Sequence, residues 1–393
     1  MKLIKTEDAV GHVLCHDITR IVKDSVKDVA FHKGHVVCEA DLPLLLDLGK
    51  EHLYIWEAGE DMLHENDAAD ILRGICQSDN MSHTPPKEGK IELIADIDGV
   101  LIVDTERLRA VNSLGEMMIA TRASGFLVKK GDKLCGTRVI PLVIKKEKME
   151  RARQAAGNEP LLRLLPLRKI RYGLVTTGSE VFHNRIKDTF SPVIVEKMGE
   201  YGCEMAAHEI VGDDHERITG AIKDMLGMGA GAGTGAGAVT GAGAGTDTDM
   251  ETGAAAGAGT GTGAGAGAGT GTDTKTGAAA GVDMVFCTGG MSVDPDDRTP
   301  LAIKNAGASI VSYGAPVLPG AMFLIAYTPD GRPVCGLPGC VMYSKRTIFD
   351  LALPLLLAGV PITSKWLAGL GNGGLCLDCA DCRFPNCMFG KGV

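Results

Sequence analysis

The chain has no excess of positive charge: its 393 residues carry a formal net charge of −9. That balance excludes broad electrostatic binding to DNA or RNA. It leaves room for a phosphorylated small molecule, which needs only a local nest of backbone N–H groups. Long apolar runs are also missing. The most apolar stretch, Ile348–Leu357 continuing to Val360, is too short to cross a bilayer and contains Pro354. The opening MKLIKTEDAVGHVL has no apolar core followed by a cleavage site. The expectation is therefore a soluble cytoplasmic protein whose 12 cysteines are thiols or metal ligands, not disulfides. No Walker A motif occurs, which argues against a generic ATP site.

Residues 229–281 are almost entirely Gly, Ala and Thr and inflate the 45% hydrophobic content. Their glycines all fall on odd positions, so the G-x-G-x-x-G fingerprint cannot occur there. With few side chains to pack and maximal backbone entropy to lose, disorder outweighs a silk-like strand. The tract holds four acids against Lys275, so it accounts for −3 of the net charge.

The remaining sequence divides by pattern. Residues 1–75 read as an α+β module in which Asp41 could cap a helix that Gly49 ends. Residues 91–145 read as a small, mostly β domain with one helix near Glu106–Met118, and 146–167 as a polar linker or connecting helix whose charge run, Lys145–Arg153, is a solvated helix face. Residues 168–360 alternate strand, loop and helix. Asp213 or Asp214 suits the cap of HERITGAIKDML, and Thr299-Pro300 suits an N-cap–N1 pair. This alternation predicts a three-layer, doubly wound, mainly parallel α/β sheet. Residues 370–393 form a cysteine-rich tail.

Three glycine-containing turns each follow an expected strand: Thr176-Thr177-Gly178-Ser179-Glu180, Thr288-Gly289-Gly290-Met291-Ser292, and Gly336-Leu337-Pro338-Gly339. In a parallel sheet such turns collect at one carboxyl edge, where ligands bind. Glycines admit an anion close to backbone N–H groups, and Thr177, Ser179 and Ser292 add hydroxyls. Glu180, Asp213, Asp214, Asp294, Asp296 and Asp297 lie beside these turns. So many acids would repel a phosphate unless a cation bridged them, and Mg²⁺ takes carboxylate and phosphate oxygens together. Each turn alone is ordinary; the set of three is informative.

TTGSEV, CTGGMSVDPDD and VCGLPGC resemble the signature loops of the molybdopterin-binding domain family, which includes molybdopterin molybdotransferases. The resemblance covers about 140 residues between Lys169 and Val360 once the Gly/Ala/Thr tract is set aside. It implies binding of molybdopterin or adenylated molybdopterin, with insertion of molybdate and release of AMP. Glu180, Asp213 and Asp297 then take catalytic positions, with Mg²⁺ on Asp213 and Asp297. Thr176, Thr177, Gly178, Ser179, Gly289, Gly290, Ser292, Gly336, Pro338 and Gly339 line the ligand. The family also implies a homo-oligomer, by default a dimer. Three departures stand out. Residues 1–165 lack a Ser-x-x-Asp-Gly-Tyr-Ala motif. Cys340-Val341 replaces Asn-Pro after Leu-Pro-Gly, and Ala321-Met322 follows Pro319-Gly320 without a lysine. A non-catalytic pterin chaperone or sensor is the alternative.

The tail carries Cys376, Cys379, Cys382 and Cys387 within a dozen residues. This spacing suits either an iron–sulfur cluster or zinc. His12, His16, His32 and His35 are read as structural, and Cys203, Cys287 and Cys335 as small core residues.

Overall fold

The computed structural model describes residues 2–22, 26–55, 61–228, 274–276, 281–291 and 298–392. Ser292, Asp294, Asp296 and Asp297 lie outside the described residues, as does most of the 229–281 tract. Two compact units emerge: residues 1–168 with 350–361 and 383–391, and residues 169–349 with 362–382 and 392–393. Among the described residues, no helix is long and apolar enough to cross a membrane.

The first unit is rich in antiparallel strands. One sheet has four strands, with Lys90–Ala95 and Lys133–Val139 at its centre; another has three, centred on Gly99–Val103. The helix Glu65–Cys76 packs Ala68, Ala69, Leu72 and Cys76 into the core beneath them. The helix expected near Glu106–Met118 spans Thr105–Asn112 and gives way to the strand Met117–Thr121. Gly115 and Glu116 adopt positive φ there and turn the chain. The region read as a linker contains the helix Lys146–Ala156, which buries Met149, Ala152 and Ala156 on one face. Its charged residues do face solvent, and a helix can carry both faces at once. Asp41 occupies the N-cap position of the helix Leu42–Asp47, but its carboxylate turns back to accept from Cys38 N–H at 2.9 Å and to meet His35 Nε2 at 2.6 Å instead of capping through the side chain.

The second unit is built on a seven-stranded sheet. In chain order its strands are β1 (Arg171–Thr177), β2 (Glu204–Val211), β3 (Thr274–Thr276), β4 (Met284–Thr288), β5 (Ser309–Tyr313), β6 (Leu324–Tyr327) and β7 (Pro333–Leu337). Their spatial order is β3-β2-β1-β4-β7-β6-β5. The central four, β2-β1-β4-β7, are parallel, and the other three join antiparallel. The expected parallel sheet is thus flanked by antiparallel additions. The short return between β6 and β7, closed by Thr328 N–H to the Arg332 carbonyl at 3.0 Å, leaves no length for a crossover helix. Residues 274–276 depart from the disorder expected of the tract: they pair with the open edge of β2.

Alternation along β1 and β4 sends successive side chains to opposite faces. On one face Val175, Val285 and Cys287 pack with Ile218 and Ile222 of α1 (His215–Met225) and Ile303 of α2 (Thr299–Asn305). Gly173 lies under Met225, whose Sδ stands 2.6 Å from where a Cβ would be, so the helix seats directly on the strand. On the other face Tyr172, Phe286 and Phe349 meet edge to face, with centroid separations of 5.6 and 5.3 Å. Layers therefore cover both sides of the sheet, as the α/β reading requires.

His64, 1% exposed in the first unit, provides a pH-sensitive test of the core. Its Nδ1 accepts from Asn66 N–H at 3.1 Å and lies 3.0 Å from Lys33 Nζ, while Nε2 meets the Cys15 carbonyl at 2.5 Å. Burial, with Lys33 adding to it, holds the imidazole below its usual 6.5. A histidine with a depressed folded pKa stabilises the fold fully above the unfolded value and loses that contribution as pH falls below it. Urea midpoints followed by circular dichroism should therefore drop between pH 7.5 and 5, and His64→Gln should flatten that dependence.

Candidate functional site

The carboxyl ends of β1, β4 and β7 stand side by side, with Thr176 opposite Thr288 and Thr288 opposite Leu337. The turns beginning at Gly178, Gly289 and Pro338 therefore leave one edge of the sheet from three adjacent strands. At about 4.8 Å between neighbours, the outer two strands are roughly 10 Å apart.

The first two turns are locked together by hydroxyls. Thr177 Oγ1 donates to the Thr288 carbonyl at 3.1 Å and lies 3.4 Å from Thr299 Oγ1. Thr299 Oγ1 donates to the Gly289 carbonyl at 3.0 Å. Thr299 is thus the first residue of α2 and not its cap, because its hydroxyl is spent on the turn. Gly289 and Gly290 adopt φ of +83° and +54°. A Cβ on Gly289 would meet the Thr177 carbonyl at 2.2 Å, and one on Gly290 would meet Thr299 Oγ1 at 2.8 Å. Glycine is required here by space as well as by φ. Thr288 Oγ1, fully buried at the same edge, has no hydrogen-bond partner among the described residues.

The other expected site residues divide. Ser179 and Glu180 begin the short helix Ser179–Phe182; Ser179 is half-buried and Glu180 exposed. Asp213 accepts from Ser179 N–H at 2.8 Å, joining the end of β2 to the first turn. Asp214 caps α1 through Glu216 and Arg217 N–H at 2.9 and 3.0 Å, and the Arg217 bond holds its carboxyl below the ordinary range. Gly336 lies inside β7, where Met291 occupies the place of a Cβ. Pro338 and Gly339 lead into a 3₁₀ turn, with open space around Gly339. Thr176 faces the opposite side of the sheet from Thr177. Its hydroxyl lies 3.0 Å from both Ser191 Oγ and His208 Nε2, while Asp188 accepts from Ser191 N–H at 3.1 Å. Burial holds the His208 imidazole below its usual value, and Asp188 opposes that shift.

An open pocket of about 580 Å³ lies over the first turn, lined by Ser179, Asp213 and Asp214 together with Phe182, His183, Arg217 and Arg298. Reading the sequence missed the last four. Arg217 stacks on Phe182 at 5.8 Å from the ring centroid, and Arg298 immediately precedes Thr299. Arg217 lies within α1 and Arg298 just ahead of α2, each a single residue with no spacing to mark it. The pocket therefore carries cations as well as acids and can receive an anion. A larger cavity, about 900 Å³, lies in the first unit between Arg73 and Arg153, but each arginine there pairs with its own helix, Asp70 and Glu150 respectively.

Among the described residues, no group of three or more His, Cys, Asp or Glu side chains is placed to hold a metal ion. Cys376, Cys379 and Cys382 belong to the second unit, whereas Cys387 falls in the 383–391 stretch of the first.

Comparison with known proteins bears on the same region. Residues 173–249 and 272–358 match the family model described as "Probable molybdopterin binding domain". Residues 3–57 match a domain of unknown function, DUF8806. No curated protein matches the chain. Among solved structures, the molybdopterin biosynthesis enzyme MoaB from Thermus thermophilus is 16% identical, covering 49% of this chain and 98% of its own, with a TM-score of 0.29. The MoeA protein from Pyrococcus horikoshii is 13% identical, covering 76% and 79%, with a TM-score of 0.28.

The turn packing gives a direct test. Gly289→Ala should destabilise the chain by about 2–4 kcal/mol, adding a backbone collision to the strain of positive φ. Gly307→Ala, at φ +91° with nothing within 4 Å, should cost only about 1 kcal/mol. Equal urea-derived losses would contradict the turn geometry. The ligand edge formed by β1, β4 and β7 lies within the stretch that matches the molybdopterin-binding family model.

Proposed function

We propose that this chain binds adenylated molybdopterin at the carboxyl edge of β1, β4 and β7 and inserts molybdate with release of AMP. The observation that carries the reading is the convergence of the three turns beside a pocket containing Arg217 and Arg298. The turns bring the ligand against close-lying backbone and the Ser179 hydroxyl, and the arginines supply positive charge toward phosphate oxygens. Reaction then needs the phosphoanhydride held in line for one water, which forms the new P–O bond as the bridging oxygen leaves, while the pterin thiolates displace molybdate oxygens that depart as water; no side-chain nucleophile is required.

Mg²⁺ belongs to the same proposal. The oxygen-only chemistry of Glu180 and of the second Asp213 oxygen fits it, and Asp297 would complete the carboxylate set. Bound there, the ion would neutralise phosphate charge. An iron–sulfur or zinc centre on the tail cysteines, a dimeric assembly and a cytoplasmic location are further parts of the proposal.

A second reading, a non-catalytic chaperone or sensor of the cofactor, is favoured by one structural observation. Asp213, a candidate catalytic carboxylate, is engaged by the backbone of Ser179.

A cell-free assay separates the two. Adding molybdate to the protein with adenylated molybdopterin should release AMP, and Asp297→Ala should abolish release. Tight pterin binding with no AMP would establish the second reading. Under either, Arg298→Ala should weaken ligand affinity about tenfold or more and reduce its salt dependence, as expected for loss of a charge-assisted contact. Titration calorimetry at two ionic strengths reads both effects.

A further inference from the structure

A polar chain runs beneath the ligand edge, on the face of the sheet that Thr176 occupies. Its members come from three elements: Thr176 at the end of β1, His208 in β2, and Asp188 with Ser191 at the start of the helix Phe190–Gly199. Thr176 and Ser191 are buried, and the side chains of Asp188 and His208 largely so. The helix start engages both Asp188 oxygens. Oδ1 accepts from Phe190 and Ser191 N–H at 2.9 and 3.1 Å, and Oδ2 accepts from the Ser191 hydroxyl.

The direction of every bond follows from that foot. Ser191 has one hydroxyl hydrogen, and Asp188 holds it. The Thr176 and Ser191 oxygens nevertheless stand 3.0 Å apart, so the hydrogen between them belongs to Thr176. Thr176 then has none left to give His208 Nε2, which lies 3.0 Å from the same oxygen, so Nε2 carries a hydrogen itself. His208 donates to Thr176, Thr176 to Ser191, and Ser191 to Asp188. A bare Nε2 would take the Thr176 hydrogen and leave two oxygens facing each other without one. His208 Nε2 stands 3.8 Å from Asp188 Oδ2, beyond hydrogen-bond reach, and is coupled to it through the hydroxyls. Leu174 on β1 and Thr276 on β3 are the register partners of His208 and carry no charge. Asp188 is the charged group that bears on the imidazole, and burial keeps the ring neutral at neutral pH.

The same segment reaches the third turn. Thr189 follows Asp188 and sets its Oγ1 3.6 Å from Met342 Sδ, in the 3₁₀ turn that follows Pro338. β1 and β7 are not neighbours, because β4 lies between them. The Thr177 and Thr299 hydroxyls join the first turn to the second on one face. Residues 188–191 join the first to the third on the other. We propose that Asp188, Ser191 and His208 are positioning residues that hold the first and third turns in register, and that Thr176 serves the site as their anchor and not as a ligand contact. A strand end tethered from below keeps its turn in place when a charged ligand arrives above. What the edge binds rests on the function proposed above; the chain and its direction do not.

The test uses the full chain with isotope-labelled histidine and methyl-labelled methionine, read by NMR. His208 should appear as the neutral Nε2–H tautomer, its signals identified by their loss in His208→Gln. Asp188→Asn keeps an oxygen for the helix N–H groups and puts a donor where Oδ2 accepts. The chain then reverses, and His208 should switch to the Nδ1–H tautomer. In the same variant the Met342 methyl should shift, and calorimetry should find the affinity for adenylated molybdopterin lowered about tenfold. Ser191→Ala, which interrupts the chain at its middle, should give a similar loss, and both changes together little more than either alone. An unaltered protein with the His208 hydrogen on Nδ1 overturns the proposal. So does Asp188→Asn protein whose tautomer switches while Met342 and the affinity stay unchanged. Where Asp188→Asn fails to fold, Ser191→Ala supplies the Met342 and affinity readings. Unaltered protein that does not bind adenylated molybdopterin refutes the ligand reading alone, and the tautomer and Met342 signals still decide the positioning chain.

Discussion

The geometry of the ligand edge depends on one close approach: Gly289 against the Thr177 carbonyl. Two strand ends separated by a single inter-strand spacing must both turn outward, and there is no volume for a Cβ between them. Removing that atom lets the Thr177 and Thr299 hydroxyls bridge the turns and fixes where α2 begins. The helix start, the turn and the neighbouring strand are thus one hydrogen-bonded unit. A change at any of them should be felt at the others, because neighbours sharing hydrogen bonds do not act additively.

Electrostatics at this edge differ from a simple acid cluster. Asp213 and Asp214 are engaged with backbone N–H groups, so part of their charge is spent on holding the first turn and capping α1. Arg217 and Arg298 enter from α1 and from the approach to α2. The balance between acids and arginines, more than either alone, sets how an anion is received and whether a divalent cation is also required. On the far side of β1, the Thr176–Ser191–His208 hydroxyl and imidazole contacts with Asp188 give the same strand a second polar buttress, buried beneath the turn that emerges from it. A strand end held on both faces is a rigid platform for a loop, which is what positioning of a charged ligand demands.

Much of this edge is legible in the residues alone. Three glycine turns after apolar runs, with hydroxyls and acids beside them, point to a ligand edge, and their order carries the family resemblance. The cap of HERITGAIKDML follows local rules and falls on Asp214, one of the two positions expected. Other features are illegible. The helix Lys146–Ala156 is legible as a charged connecting helix, but the burial of Met149, Ala152 and Ala156 is not, because whether a narrow apolar stripe is covered depends on what packs against it. Thr299 looks like a cap because Thr-Pro is a good helix start, yet a carbonyl ten residues away, that of Gly289, claims its hydroxyl. Thr-Lys-Thr at 274–276 becomes an edge strand because β2 offers an unpaired edge, which no local pattern announces.

By itself the sequence determined the elements and the chemistry available: which segments alternate, where glycine permits a turn, and that the tail concentrates thiols. These are short-range properties, set by side chains a few residues apart. Only the tertiary structure decided which groups meet. It placed Arg298 and Arg217 over the first turn, sent Thr176 and Thr177 to opposite faces, and tied the tail to Lys345. Those contacts join residues tens to more than a hundred positions apart, and they depend on strand order and crossover paths that local composition does not encode.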